Sequence, residues 1–273
     1  MTRRGSGTRR VLKAALVVLV LIAAYVLVPF RSSGARLAHA RAERREAPGW
    51  VPVPILAYHE IADGPSPIDL SPRDFALELR YLARAGYSPV TLDQVYRAVA
   101  RRTPLPGRPI VLTFDDGYES FYRSAFPLLQ RYHYPATVFV STGLVGRPGY
   151  LTWDQIRELD RAGIEIGAHT VNHPDLRGLD DTQLRSEISG SREVLSARLG
   201  HAPAFFAYPY GALNPRVVDA VRRAGFLAAV TGRPGAVGPS QDPFLWPRNV
   251  VVRGTGYWRL GRLLRRALQQ SGP

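Results

Sequence analysis

Two carboxylates stand side by side where an apolar run ends. Ile110-Val111-Leu112-Thr113-Phe114 leads into Asp115-Asp116-Gly117, and further on Ile164-Glu165-Ile166-Gly167-Ala168 leads into His169-Thr170-Val171-Asn172-His173. Acids at one strand end and imidazoles at another are the donors of a divalent-metal site. Adjacent residues leaving a strand point different ways, so one carboxylate can bind metal while its neighbour stays free as a base. Asp-Asp-Gly alone is equally a good turn sequence. The histidine pair is more specific. Pro174 follows it and disfavours a helical His173, so this is a loop pair and not the helical pair of zinc proteases. The chain has no cysteine, which excludes disulfides, thiolate ligands and a cysteine nucleophile. Any metal must be held by His, Asp or Glu, which favours zinc or a similar divalent ion.

The elements that must position these groups alternate. Residues 54–59 form a short apolar strand. Ser71-Pro72 is an N-cap followed by a first-turn proline, and Phe75, Leu79 and Leu82 give the helical stripe behind it. Residues 87–90 are extended, a helix follows over 92–101, and then comes the strand ending at Asp115. Residues 118–132 read as helix and 136–140 as strand. Thr152-Trp153-Asp154-Gln155 fits a capping box for a helix to Arg161. After the strand at 164–168, helix is expected over 181–199, strand over 205–208, helix to Arg223 behind Asn214-Pro215, and strand over 226–230. Arg84-Ala85-Gly86, Arg161-Ala162-Gly163 and Arg223-Ala224-Gly225 each close a helix with glycine before a strand begins, as a left-handed C-terminal residue does. Such repeated units point to an α/β fold with a parallel sheet, most simply a (β/α) barrel. An open doubly wound sheet is the alternative, but no glycine-rich phosphate loop follows an early strand.

The 273 residues carry a net charge of +14. Residues 1–50 hold ten Lys/Arg against two acids, and five arginines follow Val252 with no acid among them. Basic ends suggest a membrane surface or an anionic wall, and no nucleic-acid-binding motif is present. After a basic tail at 1–10, residues 11–30 are apolar over the span of a bilayer core. They are expected to be a transmembrane anchor with the rest exported. The competing reading is a secretory signal cleaved near Ala38-His39-Ala40. Residues 31–52 read as a linker and 53–273 as the catalytic domain. Residues 257–270 place leucines on one helical face and arginines elsewhere. That is a last barrel helix, or a helix lying on anionic lipid.

Thr113-Phe114-Asp115-Asp116-Gly117, His169-Thr170-Val171-Asn172-His173 and Tyr208-Pro209-Tyr210-Gly211 together resemble the motifs of the polysaccharide deacetylases with NodB homology, the fourth carbohydrate esterase family. The resemblance covers residues 54–252. It implies a distorted (β/α) barrel of about seven strands and hydrolytic, metal-dependent removal of acetyl groups from a glycan. It assigns Asp116, His169 and His173 to one divalent metal, Asp115 to the general base, and the backbone N–H of Tyr210 to the oxyanion. Trp153 and Trp246 are sugar-stacking candidates, with core packing as the competing reading.

Two departures stand out. The arginine usual early in the third motif is missing, since that part reads Phe205-Phe206-Ala207. Arg248 is the expected substitute. The late Leu-x-His motif that supplies the general acid is also missing. Leu56-Ala57-Tyr58-His59 near the domain start is similar to the permuted arrangement of poly-β-1,6-N-acetylglucosamine deacetylases, which makes His59 the expected acid. The expected substrate is an N-acetylated, N-acetylglucosamine-containing polysaccharide outside the cytoplasm. The alternatives are an inactive glycan-binding relative and an O-acetyl esterase with the same site. His39, His133 and His201 receive no role.

Overall fold

The computed structural model describes residues 50–270. The basic tail at 1–10, the expected transmembrane segment at 11–30 and the expected linker up to residue 49 lie outside the described residues. Among the described residues no helix is long and apolar enough to cross a membrane. The order is β1 (Val53–Tyr58), α1 (Pro72–Arg84), β2 (Ser88–Pro89), α2 (Leu92–Arg101), β3 (Pro109–Phe114), α3 (Phe126–Tyr132), β4 (Thr137–Val140), α4 (Trp153–Arg161), β5 (Glu165–Ala168), α5 (Asp181–Leu199), β6 (Phe205–Ala207), α6 (Pro215–Arg223), β7 (Ala228–Val230), β8 (Ala236–Val237), β9 (Asn249–Val250) and α7 (Gly256–Gln269).

Local sequence explains most of these boundaries. Ser71, Thr152 and Asn214 each accept a backbone N–H at the start of their helices. Gly86, Gly163 and Gly225 take φ values of 71°, 86° and 88°, which a side chain would resist. The helix expected over 118–132 is divided: Phe121–Ala125 forms a π turn before α3. Pro127 is the cause, because proline lacks an N–H and clashes with the carbonyl four residues back. The chain widens there and restarts with proline in the first turn. The strand expected from 226 begins at Ala228, with Phe226 packed into the core instead.

The sheet runs β7-β6-β5-β4-β3-β1-β8. All pairs on this path are parallel except β1 with β8. This seven-strand path with helices around it fits a distorted barrel. Residues 246–251 span the remaining side. On one flank Trp246 N–H donates to Ala229 O and Thr231 N–H donates to Trp246 O. On the other, β9 pairs with β1 and Val251 N–H donates to Ala57 O.

Alternation along the strands sorts their side chains into two cores. Leu56, Leu112, Val138, Ile166 and Phe206 pack with the helices. Ile55, Val111, Phe139, Phe205, Val230 and Trp246 pack together on the other face, with Leu92 and Val95 of α2. All six residues of β1 are buried. Burying each large aliphatic side chain stabilises the fold by about 1.5–3 kcal/mol, which makes β1 a principal contributor. Glu165, at the start of β5, accepts the N–H groups of Leu92 and Asp93 and the hydroxyl of Thr137. It thereby ties the N-terminus of α2 to the sheet.

Candidate active site

Asp115 continues β3. Its N–H donates to Tyr58 O, extending the ladder with β1 by one step. Alternation puts it on the same face as Val111 and Thr113, which is the barrel interior. Asp116 then turns away with φ 72°. His169 likewise continues β5 and donates its N–H to Val140 O. The next turn brings His173 back beside it. That turn needs positive φ at Thr170 (68°) and His173 (59°), which is strained for a β-branched threonine.

Three sets of bonds hold the strained loop. Thr170 Oγ1 accepts His173 N–H at 2.9 Å. Glu187 on α5 accepts the N–H groups of Val171 and Asn172 at 2.9 and 2.8 Å, and the Asn172 side-chain amide at 2.8 Å. Thr142 and Gly143 donate their N–H groups to Thr170 O and Val171 O. A Cβ at Gly143 would meet Val171 O at 2.8 Å, so glycine is what permits that approach.

The result is a compact donor set. Asp116 Oδ1 lies 3.3 Å from His169 Nε2 and 3.2 Å from His173 Nε2, and the two Nε2 atoms are 3.1 Å apart. Donors at about 2.0–2.1 Å from a tetrahedral zinc ion stand about 3.3–3.4 Å from one another. The three atoms therefore form one face of such a tetrahedron. Asp116 Oδ1 is buried and has no hydrogen-bond partner among the described residues, as expected of an oxygen kept for a cation. His169 Nδ1 lies 2.7 Å from Ala207 O, which fixes the tautomer and turns the Nε2 lone pair to the site. The donor set fits a single divalent ion.

The electrostatics agree. Burial opposes ionisation of Asp116, but His169, and then His59 and His173, hold its carboxyl well below the usual carboxylate range. Burial and the neighbouring His169 push His173 down to about 4. Burial also acts to lower His169, but the adjacent Asp116 carboxylate and the charge of Asp115 outweigh it and raise the net value.

Arg248 meets Asp115 inside the barrel. Its Nη1 donates to Oδ1 at 2.6 Å and its Nη2 to Oδ2 at 2.8 Å. Its Nε donates to Thr231 O and its Nη1 also to Thr113 Oγ1. Both partners are buried. Burial raises the Asp115 pKa, but the Arg248 charge more than offsets this with the help of His169, so the carboxyl sits below its ordinary range. His59 follows β1 directly, and its Nε2 is 3.9 Å from Asp115 Oδ2. Tyr210 stands in a turn with φ 59°. Its ring packs edge-on against His173 at 4.6 Å, and it is 63% exposed at the rim.

The structure thus brings together Asp115, Asp116, His59, His169, His173, Arg248 and Tyr210. It separates off the two tryptophans. Trp246 is 0% exposed in the inner core, so it cannot stack on a sugar. It belongs to the segment that closes the barrel, and its ring fills the interior there. Trp153 packs against the outer core with the Arg198 guanidinium 5.1 Å over its ring. Its described contacts do not include the metal-ligand set. Sequence reasoning missed Glu187, because nothing at a residue on α5 signals a contact with the histidine loop.

The family model described as Polysaccharide deacetylase matches residues 102–229. YxkH of Bacillus subtilis (strain 168), a protein named for the same family, is 30% identical over 202 residues, covering 74% of this chain and 72% of its own. The poly-beta-1,6-N-acetyl-D-glucosamine N-deacetylase of Escherichia coli (strain K12) is 27% identical over 208 residues, 60% of this chain but 31% of that longer protein. Among solved structures, the Streptococcus pyogenes deacetylase PplD in complex with acetate superposes with a TM-score of 0.74 at 28% identity, covering 78% of this chain and 98% of that one. The matched span of 102–229 contains Asp115, Asp116, His169, His173 and Tyr210. His59 and Arg248 lie on either side of it.

Proposed function

The chain belongs to the polysaccharide deacetylase family, hydrolases acting on amide bonds, and from that premise we propose that it removes N-acetyl groups, in a metal-dependent reaction, from a polysaccharide containing N-acetylglucosamine. The observation that carries this reading is the triangle of Asp116 Oδ1, His169 Nε2 and His173 Nε2, 3.1–3.3 Å on each side, next to a second carboxylate not used for ligation. The relative named a poly-beta-1,6-N-acetyl-D-glucosamine N-deacetylase favours a β-1,6-linked substrate.

Asp116, His169 and His173 would hold one divalent ion, with zinc the best match to the donor set. When bound, such an ion polarises an acetyl carbonyl and lowers the pKa of a water molecule. Asp115, kept ionised by Arg248, accepts the proton of the attacking water. The Tyr210 N–H donates to the carbonyl oxygen as it gains charge. His59 delivers a proton to the glucosamine nitrogen as the C–N bond breaks, so the products are acetate and a free amine. Residues 11–30 would hold the chain at the membrane with this domain on the extracytoplasmic side. That placement predicts full-length chain in the membrane fraction after export, and a soluble shortened form would contradict it.

The deciding experiment measures acetate released from β-1,6-linked N-acetylglucosamine oligomers, chitooligosaccharides and peptidoglycan. The enzyme is first stripped by chelation and then resupplied with zinc. Release from the β-1,6 oligomers that needs the metal is the expected result. Release that survives chelation, or none from any substrate, overturns the reading. Preference for another substrate would correct the linkage alone.

A further inference from the structure

The C-terminal helix α7 carries a surface that the deacetylase site does not use. Leu260, Leu264 and Ala267 are buried, and the helix packs on α1 and β1. The other side is exposed. At 3.6 residues per turn, Trp258, Arg262, Arg265 and Gln269 fall on one line, with Arg259 and Arg266 beside it, and all six are exposed. None of these four arginines makes an ion pair among the described residues, whereas Arg253 just before them lies 3.7 Å from Asp69. No acidic residue follows Asp242. Trp258 is 75% exposed and its ring lies 4.6 Å from that of Tyr257.

The apolar part is concentrated as well. Among the described residues the exposed large hydrophobics are Val51, Val194, Tyr210, Leu227, Val250, Val252, Tyr257 and Trp258. Half of them fall in the nine residues 250–258, immediately ahead of the arginine stripe. A monomer gains nothing by exposing a tryptophan at the tip of a cationic face. Such a combination suits a boundary between water and an apolar phase with negative charge at its surface.

We propose that the exposed 257–266 face of α7 docks on the surface of an anionic lipid bilayer, with Trp258 and Tyr257 at headgroup depth and Arg259, Arg262, Arg265 and Arg266 over the phosphates. Charge complementarity excludes the reaction product as the occupant, since a deacetylated glucosamine polymer is itself cationic. A dissolved polyanion would satisfy the arginines but leave Tyr257 and Trp258 in water. The bilayer accounts for both halves of the surface. Docking there would hold the barrel against the bilayer surface.

The test uses the full chain reconstituted with vesicles of neutral phosphatidylcholine, or of phosphatidylcholine mixed equally with phosphatidylglycerol, containing brominated lipids. The chain has four tryptophans, so the Trp258 contribution is taken as the difference from the Trp258→Phe variant. Bromine quenching of Trp258 is expected in the anionic vesicles. It should fall severalfold in neutral ones, in high salt, and in the Arg262→Glu/Arg265→Glu double variant. The proposal is overturned if Trp258 is unquenched in anionic vesicles, or if its quenching is indifferent to lipid charge and to the double substitution. It is also overturned if soluble polyglycerol phosphate shifts Trp258 emission while brominated lipid does not quench it. Acetate release from a soluble oligomer, unchanged in these variants, verifies that they are folded.

Discussion

Arg248 and Asp115 form a buried, bidentate ion pair whose remaining polar atoms are also bonded, so each partner depends on the other. Removing one side of such a pair costs about 3–5 kcal/mol, because the other charge is left unpaired in the interior. Arg248→Ala is therefore expected to lower the melting midpoint measurably. Arg248→Lys should keep more of the stability, yet lose on the order of 100-fold in kcat, since an ammonium cannot grip both carboxylate oxygens. Calorimetry and acetate-release kinetics on the two variants separate these effects. His173→Ala should reduce bound metal from one equivalent to none without unfolding the barrel, which elemental analysis after gel filtration will show. At this scale the sequence was informative where chemistry is local. Asp115-Asp116 and His169 with His173 are strand-end residues whose neighbours announce them. Arg248 was reached by asking what could replace a missing charge, and the structure places its guanidinium on both oxygens of Asp115. For Trp246 sugar stacking and core packing both stood open, because a tryptophan's type does not reveal which face of a closing strand it occupies; the structure puts it in the core.

Helices and loops position these residues through contacts that span long stretches of chain. Glu187 on α5 holds the backbone between the two histidines. Glu187→Ala should weaken metal affinity about 10–100-fold while leaving the ligands themselves intact. Glu187→Gln should recover part of the loss, since its amide oxygen can still accept a backbone N–H. Competition with a metal-sensitive dye would measure both. Glu78 on α1 has a different consequence. It is fully buried and accepts the Tyr58 hydroxyl at 3.0 Å, and burial pushes its pKa up to about 8. The native state therefore holds a proton that the unfolded chain releases near pH 4.5, the ordinary value for glutamate. Stability should fall as pH rises from about 4.5 to about 8, by roughly 1.4 kcal/mol per unit. Glu78→Gln should flatten that slope, as thermal melts across the range would reveal. The caps at Ser71, Thr152 and Asn214 were legible because capping is read within four residues. The capping boxes at Thr91 and Asp180 obey the same rule and were legible in principle. The bonds from Glu187 and Glu165 were not, because side chains meeting across 16 and 73 residues leave no periodic trace.

The whole molecule explains why the matched span of 102–229 falls short of a complete enzyme. That span omits β1, whose six buried residues pair with β3, β8 and β9, and it omits the segment carrying Arg248. A fragment limited to it is expected to lack cooperative melting, while residues 45–273 should melt in one transition; circular dichroism on both tests this. The alternation of elements and the three glycine joints made an α/β barrel readable in advance. Its means of closure was not readable, because residues 246–251 carry a two-residue strand and bond to β7 on one flank and β1 on the other. That closing segment also sets an order in time. Asp115 and Arg248 are separated by 133 residues, and a ribosome makes the chain from its N-terminus. The carboxylates and histidines are all synthesised before the residue that holds Asp115 ionised in the interior. On the proposed mechanism hydrolysis would wait for the last stretch of the domain to arrive and dock, so a nascent or interrupted chain would carry Asp116, His169 and His173 but leave Asp115 without its arginine.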